Sequence, residues 1–147
     1  MGDINWLSLV ISTLLPTALG FAWYSKALFG KAWMDSIGMT EEKAQSGNMA
    51  VMMGVGLVMA LFLSLFLIAN VNGPGQEDTF DTFKHGALHG AFLGILVATP
   101  VMITNGLFEQ KSWKNLLINT GYWILTLTLM GGVLDAMNHF PNVAAAS

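Results

Sequence analysis

Residues 49–71 read MAVMMGVGLVMALFLSLFLIANV, a run without a single charged side chain. A helix needs about 20 mostly apolar residues to cross a bilayer. The run is too long and too uniformly apolar for a strand of a membrane barrel, which alternates in polarity over about 10 residues. Residues 49–71 therefore predict a transmembrane helix, and with it a chain embedded in a membrane.

Three further segments have the length and the apolar character of a membrane span. Only helices and closed barrels satisfy their backbone groups in lipid, so these segments are also predicted to be helices. The predicted fold is all-α, an integral membrane four-helix bundle with short interfacial helical segments in the loop between helices 1 and 2. We predict a single transmembrane domain over residues 1–147, with spans at about 4–25, 48–71, 85–108 and 115–138.

The composition agrees with a membrane location and excludes several kinds of function. Hydrophobic residues make up 54% of the chain and charged residues only 10%, whereas soluble domains carry about 25% charged residues. The net charge is −3 and there is no arginine, which argues against a nucleic-acid partner because phosphate binding needs clustered basic residues. The absence of cysteine excludes disulfides and thiolate chemistry.

The lysines predict the orientation of the spans. Five of the six lysines lie either in loop 1, between the first and second spans, or in loop 3, between the third and fourth spans. They are Lys26, Lys31, Lys43, Lys111 and Lys114, and only Lys84 lies on the other side. Lysine-rich loops stay in the cytoplasm. We therefore expect loops 1 and 3 inside and both termini outside, with residues 73–78 forming an acidic outer turn.

Small residues recur every four positions in two of the predicted spans: Gly56, Ala60 and Ser64 in the second, and Gly86, Gly90 and Gly94 in the third. Such stripes let helix backbones approach closely in lipid. They indicate either contacts within one bundle or contacts with a second chain. We expect membrane lipid as a partner, together with a homo-oligomer or a partner in a membrane complex.

All three histidines fall on the predicted outer side. Asp81, His85 and His89 are spaced by four, which places them on one face of a helix, and Asp135 and His139 repeat this spacing. Imidazole and carboxylate groups bind zinc and similar ions, and histidine also exchanges protons near neutral pH. The alternative is that Asp135 and His139 only pair with each other.

Polar side chains also occur at the predicted cytoplasmic ends of the third and fourth spans. Asn105 and Asn119 lie there, with Glu109 and Tyr122 nearby in sequence. Intramembrane amides often hold helices together by hydrogen bonds worth about 1 kcal/mol each. Asn105 and Asn119 therefore either hold the third and fourth spans together or form a small polar binding site on the cytoplasmic side.

Several motifs resemble one known family. They read GFAWYS at residues 20–25, LFGKAWM at 28–34, LFE at 107–109, INTGY at 118–122 and LMGGVL at 129–134. With these motifs the chain resembles the bacterial membrane family catalogued as domain of unknown function 1761. The resemblance implies a four-helix protein of the bacterial inner membrane and no defined activity. It directs attention to motif residues on the cytoplasmic side: Trp23, Tyr24, Lys31, Trp33, Glu109, Asn119 and Tyr122.

We find no Ser-His-Asp order, glycine-rich phosphate loop or metalloprotease helix, and we expect no enzymatic activity and no cofactor. The leading interpretation is an oligomeric bundle that binds or passes a lipid or small solute near its cytoplasmic face. Its candidate residues are Trp23, Tyr24, Lys31, Trp33, Asn105, Glu109, Asn119 and Tyr122. The alternatives are a scaffold or accessory subunit of a membrane complex, and an outer metal or proton site at Asp81, His85, His89, Asp135 and His139.

Overall fold

The computed structural model describes residues 4–71 and 80–139. These residues form helices and no strand, which confirms the all-α fold. The helices are α1 (Trp6–Trp23), α2 (Gly30–Ser36), α3 (Glu41–Gln45), α4 (Met49–Val71), α5 (Phe83–Leu93), α6 (Thr99–Phe108) and α7 (Trp113–Met137). A π-helical segment, Gly94–Ala98, joins α5 to α6 into one continuous third span, Phe83–Phe108.

Four of these helical segments are long and apolar enough to cross a membrane: α1, α4, the third span and α7. Each begins and ends within two residues of its predicted bound. The four-helix membrane bundle is therefore confirmed, and α2 and α3 are the short helices predicted in loop 1. The predicted acidic turn at residues 73–78 lies outside the described residues.

Helix α7 lies at the centre of the bundle. Half of its most apolar stretch is buried, whereas the other three spans bury at most 22% of theirs. It packs against α1, α4 and α5, and the apolar core joins α7 to the end of α4 through Leu67, Ile68, Leu127, Met130 and Leu134. Because lipid is as apolar as these side chains, close packing rather than exclusion from water stabilises the contacts.

The glycine stripe of the third span makes the tightest of these contacts. Gly86 lies against the carbonyl group of Gly131, and Gly90 lies against the carbonyl group of Leu127. A Cβ atom at Gly90 would be 2.6 Å from the carbonyl carbon of Leu127, which is closer than real side chains approach. The stripe therefore forms a contact within the chain, between α5 and α7.

The two ends of the bundle differ. We call the end with Lys26, Lys43 and Lys111 the lysine end, and the opposite end, with His85 and His139, the histidine end. All buried residues of α4 belong to its half nearest the histidine end, and no residue from 49 to 59 is buried. Likewise, Gly106 is the one buried residue of α6. The bundle is therefore closed at the histidine end, whereas α4 and α6 bury little at the lysine end.

Polar side chains fasten α1 to α7 and α4 along the buried interface. At the histidine end the Asn138 amide donates to Ser8 Oγ at 2.7 Å and accepts from the Asn5 backbone N–H at 2.8 Å. Further in, Ser64 Oγ lies 3.0 Å from Ser12 Oγ. The side chains of Ser8, Ser12, Ser64 and Asn138 are buried in the bundle, so mutual hydrogen bonds replace those that water would supply. The sequence did not predict these hydrogen bonds between α1, α4 and α7.

In loop 1 the chain turns sharply at two glycines, after the end of α1 and after the end of α2. Where α1 ends, Gly30 lies so close to the carbonyl groups of Tyr24 and Ser25 that a Cβ atom would overlap them. Where α2 ends, Gly38 adopts a φ of 62°, a backbone conformation that glycine adopts without steric cost. Thr40 then accepts a hydrogen bond from the Lys43 N–H and begins α3. This compact loop holds α2 against α7.

Candidate functional site

A ladder of hydrogen bonds joins three helices at the lysine end. The Tyr24 hydroxyl donates to Asn119 Oδ1 at 2.8 Å, and Asn119 Nδ2 donates to Asn115 Oδ1 at 3.0 Å. Asn115 Nδ2 then donates to Ser36 Oγ at 3.1 Å, and Ser36 donates to the Trp33 carbonyl at 2.6 Å. The ladder ties α7 to the end of α1 and to α2.

Aromatic rings surround this ladder. The ring of Tyr24 lies 5.4 Å from that of Trp33 and 5.2 Å from that of Tyr122, and Trp23 donates its indole N–H to the Ile118 carbonyl at 3.1 Å. Burial, and to a lesser extent the neighbouring Tyr122, raises the pKa of the Tyr24 hydroxyl above its ordinary value. Like an ordinary tyrosine, Tyr24 is protonated at neutral pH and donates its hydrogen bond to Asn119.

Of the predicted cytoplasmic-side residues, Lys31 lies apart from the others. It pairs with Asp35 one helical turn later, at 2.9 Å, and both side chains are exposed. Beside this pair, Lys26 lies 2.5 Å from Glu41, and its hydrogen bond and charge lower the pKa of the Glu41 carboxyl. These exposed ion pairs belong to the surface of loop 1, where such pairs contribute little to stability.

A cavity of about 180 Å³ lies between α6 and α7 at the lysine end. Three of the predicted residues line it, and the full lining is Met102, Asn105, Gly106, Glu109, Lys111, Asn115, Leu116 and Asn119. Glu109 and Lys111 carry opposite charges on its rim, with Oε2 and Nζ 2.5 Å apart. The cavity therefore combines amide groups, one carboxylate and one ammonium group with an apolar wall.

The turn between α6 and α7 places the two charged groups. Gln110 adopts a φ of 56°, and the Lys111 N–H donates to the Gly106 carbonyl at 2.9 Å. This is the Schellman arrangement that ends many helices. Ser112 then begins α7 by accepting a hydrogen bond from the Asn115 N–H at 3.2 Å. These backbone bonds fix the turn, so Glu109 and Lys111 both project from the rim of the cavity.

A second chain of hydrogen bonds lies at the histidine end. Asp135 Oδ2 lies 2.8 Å from His85 Nδ1, and His85 Nε2 lies 3.1 Å from His89 Nε2. His89 Nδ1 lies 2.8 Å from Asn70 Oδ1. The chain thus links α7, α5 and α4, and runs from Asp135, which has no exposed surface, to the exposed Asn70.

The other two predicted residues of this end form a separate pair. His139 Nδ1 lies 3.3 Å from Asp81 Oδ2, so Asp135 pairs with His85 and not with His139. Asp81 does not share the face of His85 and His89, because α5 begins only at Phe83. Among residues 4–71 and 80–139, no three His, Asp or Glu side chains converge on a position suitable for a metal ion.

The sequence profile of a family described as Protein of unknown function (DUF1761) matches residues 7–135, which is most of the chain. The chain belongs to the DUF1761 family. This confirms the family resemblance, and it identifies a protein of unknown activity with four helices able to span a membrane. No curated protein and no solved structure matches the chain.

Both hydrogen-bond chains lie within the region that matches DUF1761, whereas His139 lies beyond it. Sequence reasoning had not selected Ser36, Asn70 or Asn115. The spacing of four between Asn115 and Asn119 was a usable signal, since such residues meet on a helix surface. Ser36 and Asn70 gave no comparable signal, because their partners are distant in sequence.

Proposed function

We propose that this DUF1761 protein is a non-enzymatic membrane protein that binds the headgroup of phosphatidylethanolamine, whose ammonium group, unlike that of choline, can donate hydrogen bonds to a carboxylate, in the cavity between α6 and α7. The supporting observation is the pair of opposite charges, Glu109 and Lys111, on the rim of a cavity lined by amides. A phosphoethanolamine headgroup carries the complementary pair, an ammonium group and a phosphate. In this proposal Glu109 binds the ammonium group and Lys111 binds the phosphate.

The amides have hydrogen-bonding capacity for such a ligand. Each asparagine offers two N–H donors and an oxygen with two lone pairs. The bond to Asn115 uses one N–H of Asn119, and the bond from Tyr24 uses one lone pair of its oxygen. A second N–H of Asn119 is therefore available to a phosphate oxygen. Asn105 is exposed and adds further donors on the opposite wall.

The position of the cavity supports a lipid over a dissolved molecule. Trp113 begins α7 next to the cavity and is 60% exposed, and exposed tryptophan is typical of the headgroup level of a membrane. Helix α6 buries only Gly106, so its side faces the surroundings of the bundle. A lipid can therefore bring its headgroup to Glu109 sideways from the membrane while its tails remain in the bilayer.

The test compares lipids retained by the purified protein in nanodiscs, by native mass spectrometry, with phosphatidylethanolamine and phosphatidylcholine offered equally. We expect preferential retention of phosphatidylethanolamine, and we expect Glu109→Gln and Asn105→Ala each to weaken it about five-fold, the equivalent of about 1 kcal/mol for an exposed charged or polar contact.

The matched control is Glu42→Gln, which removes the same charge from exposed α3, away from the cavity. It should leave lipid retention unchanged. Equal retention of the two lipids, or retention that Glu109→Gln does not alter, would contradict the proposal. Displacement of the lipid by dissolved phosphoethanolamine at low concentration would point to a soluble ligand instead.

A second candidate role is that of a subunit in an oligomer or a larger membrane complex. The observation that favours it is the open face of α4, where residues 49–59 include no buried residue and Gly54 and Gly56 have open space in place of a side chain. If a second copy covers this face, Gly56→Leu should lower the dimer fraction about ten-fold, with unchanged thermal stability. Native mass spectrometry measures both forms, and a wild-type monomer at every protein-to-lipid ratio would count against the role.

A further inference from the structure

The chain from Asp135 to Asn70 has three links, and each needs one hydrogen atom. In the outermost link His89 Nδ1 must be the donor, because the carbonyl oxygen of Asn70 only accepts. In the middle link one imidazole ring must donate from Nε2 to the other. In the innermost link one hydrogen lies between His85 and the carboxyl group of Asp135.

Two neutral histidines and an ionised aspartate hold only two such hydrogens, since a neutral imidazole carries one and a carboxylate carries none. With the Asn70 oxygen toward His89, the chain therefore requires one additional proton to keep all three bonds. This proton makes His85 an imidazolium beside ionised Asp135, or leaves both rings neutral beside protonated Asp135. In either form the three groups together are neutral, whereas without the proton their charge is −1.

The form without this proton also has a fully bonded arrangement. If the side-chain amide of Asn70 turns over, its NH₂ group donates to His89 Nδ1. His89 then donates from Nε2 to His85, and His85 donates from Nδ1 to the Asp135 carboxylate. All three links are kept with two hydrogens, because the two outer bonds have reversed direction. Uptake of one proton is thus coupled to reversal of these two bonds and to a turn of the exposed amide of Asn70.

The packing of α5 on α7 holds the inner part of this chain in place. Gly86, next to His85, has no side chain and lies directly against Asp135 Cβ and the Gly131 carbonyl. This close approach brings the His85 ring to the carboxyl group of Asp135, which has no exposed surface. The outer part ends at Asn70, which is exposed. The chain therefore connects a buried acid with the surface of the histidine end.

The remaining charges at this end are few. Among the described residues, the other titratable or charged groups near the chain are Asp81, Lys84 and His139. Asp81 and His139 pair with each other, and Lys84 is exposed on α5. Helices α1 and α4 contain no titratable side chain, so α4 contributes the neutral amide of Asn70 alone. Asp135, His85 and His89 are therefore the hydrogen-bonded groups that share the additional proton, and the buried carboxyl group of Asp81 acts on Asp135 through its charge.

We propose that Asp135, His85, His89 and Asn70 form a binding site for a single proton, which they carry between the buried carboxyl group and the surface of the histidine end. In the uptake step a hydronium ion at the surface gives a proton to His89 Nδ1 and leaves as water, and the Nε2 proton of His89 moves to His85 Nε2. The Nδ1 proton of His85 then stays on the ring or moves to Asp135 Oδ2, so that only N–H and O–H bonds form and break. The site lies at the end opposite the lipid cavity and does not depend on the proposed lipid binding.

Nitrogen-15 NMR of the histidine side chains tests this directly on the full-length wild-type protein in nanodiscs. We expect a coupling across the hydrogen bond between the Nε2 atoms of His85 and His89. Between about pH 8 and about pH 5, where histidines ordinarily titrate, we expect these two rings together to take up at most one proton. Two rings that each take up a full proton independently, without the coupling, would overturn the proposal.

Two variants identify the signals. His89→Ala removes the middle link, so the coupling should disappear while His85 keeps its contact with Asp135. His139→Ala is the matched control, since His139 pairs with Asp81 and is mostly exposed. It should leave both the coupling and the number of protons unchanged, and a loss of either in His139→Ala would count against the assignment. The wild-type measurement decides the question even if His89→Ala does not fold.

Discussion

Replacing Gly90 by alanine should lower the free energy of unfolding by about 1–3 kcal/mol, the usual cost of forcing extra atoms into a packed interface. The new Cβ atom would lie 2.6 Å from the carbonyl carbon of Leu127 and 2.9 Å from Thr128 Cα. Both neighbours are backbone atoms of α7, which cannot rotate away as a side chain can. The helices must therefore separate, and the measurement is unfolding by sodium dodecyl sulfate in mixed micelles, followed by circular dichroism.

Gly56→Ala is the matched control for this prediction. It is the same substitution inside a membrane helix, but no atom of another helix lies within 4 Å of the added Cβ. Since alanine favours a helix over glycine by about 1 kcal/mol, the control should be neutral or slightly stabilising. Equal losses of stability in the two variants would contradict the close packing of α5 on α7.

Much of the fold was predictable because the information that determines it is local. Membrane spans need only a sufficient length of apolar residues, which can be recognised segment by segment. The glycine spacing in the third span also indicated a close helix contact. It did not indicate the partner, because the matching surface around Gly131 and Leu127 is distant in sequence.

The histidine end shows where spacing arguments stop. Residues spaced by four share a face only while the helix continues. His85 and His89 both lie in α5 and meet, with ring centroids 4.5 Å apart. Asp81 precedes the first residue of α5 and His139 follows the last residue of α7, so the rule applies to neither. A correct placement required the exact first residue of α5 and the exact last residue of α7, whereas sequence patterns locate helix ends only to one or two residues.

At the lysine end the limit was a different one. Asn119 and Tyr24 were both candidate residues, but the hydrogen bond between them and the role of Asn115 were not predicted. Tyr24 directly follows α1 and reaches Asn119 through the packing of α1 on α7. Ser36 reaches Asn115 because loop 1 folds back, with a close approach at Gly30 and a left-handed backbone at Gly38. Such conformations are set by contacts between segments, so only the structure distinguishes the residues that hold the helices from those that face the cavity.

Asn115→Ala should lower the free energy of unfolding by about 1–3 kcal/mol, the cost of leaving buried polar partners without a hydrogen bond. Asn115 is 1% exposed and links Asn119 to Ser36. Its loss removes the polar connection between α7 and α2, so loop 1 should also open more often. Hydrogen exchange of residues 24–48, measured by mass spectrometry beside the unfolding curve, should become faster.

The control is Asn105→Ala, the same substitution on the other wall of the cavity. Asn105 is exposed on α6, and exposed substitutions usually change stability by less than about 0.5 kcal/mol. We expect Asn105→Ala to keep the stability and the exchange of loop 1 while weakening lipid retention. If Asn115→Ala also kept its stability, the ladder would not be holding α2. If Asn105→Ala destabilised the protein as much, its effect on lipid could not be assigned to the cavity. The pair therefore separates the amide that supports the fold from the amide that is free to bind a headgroup.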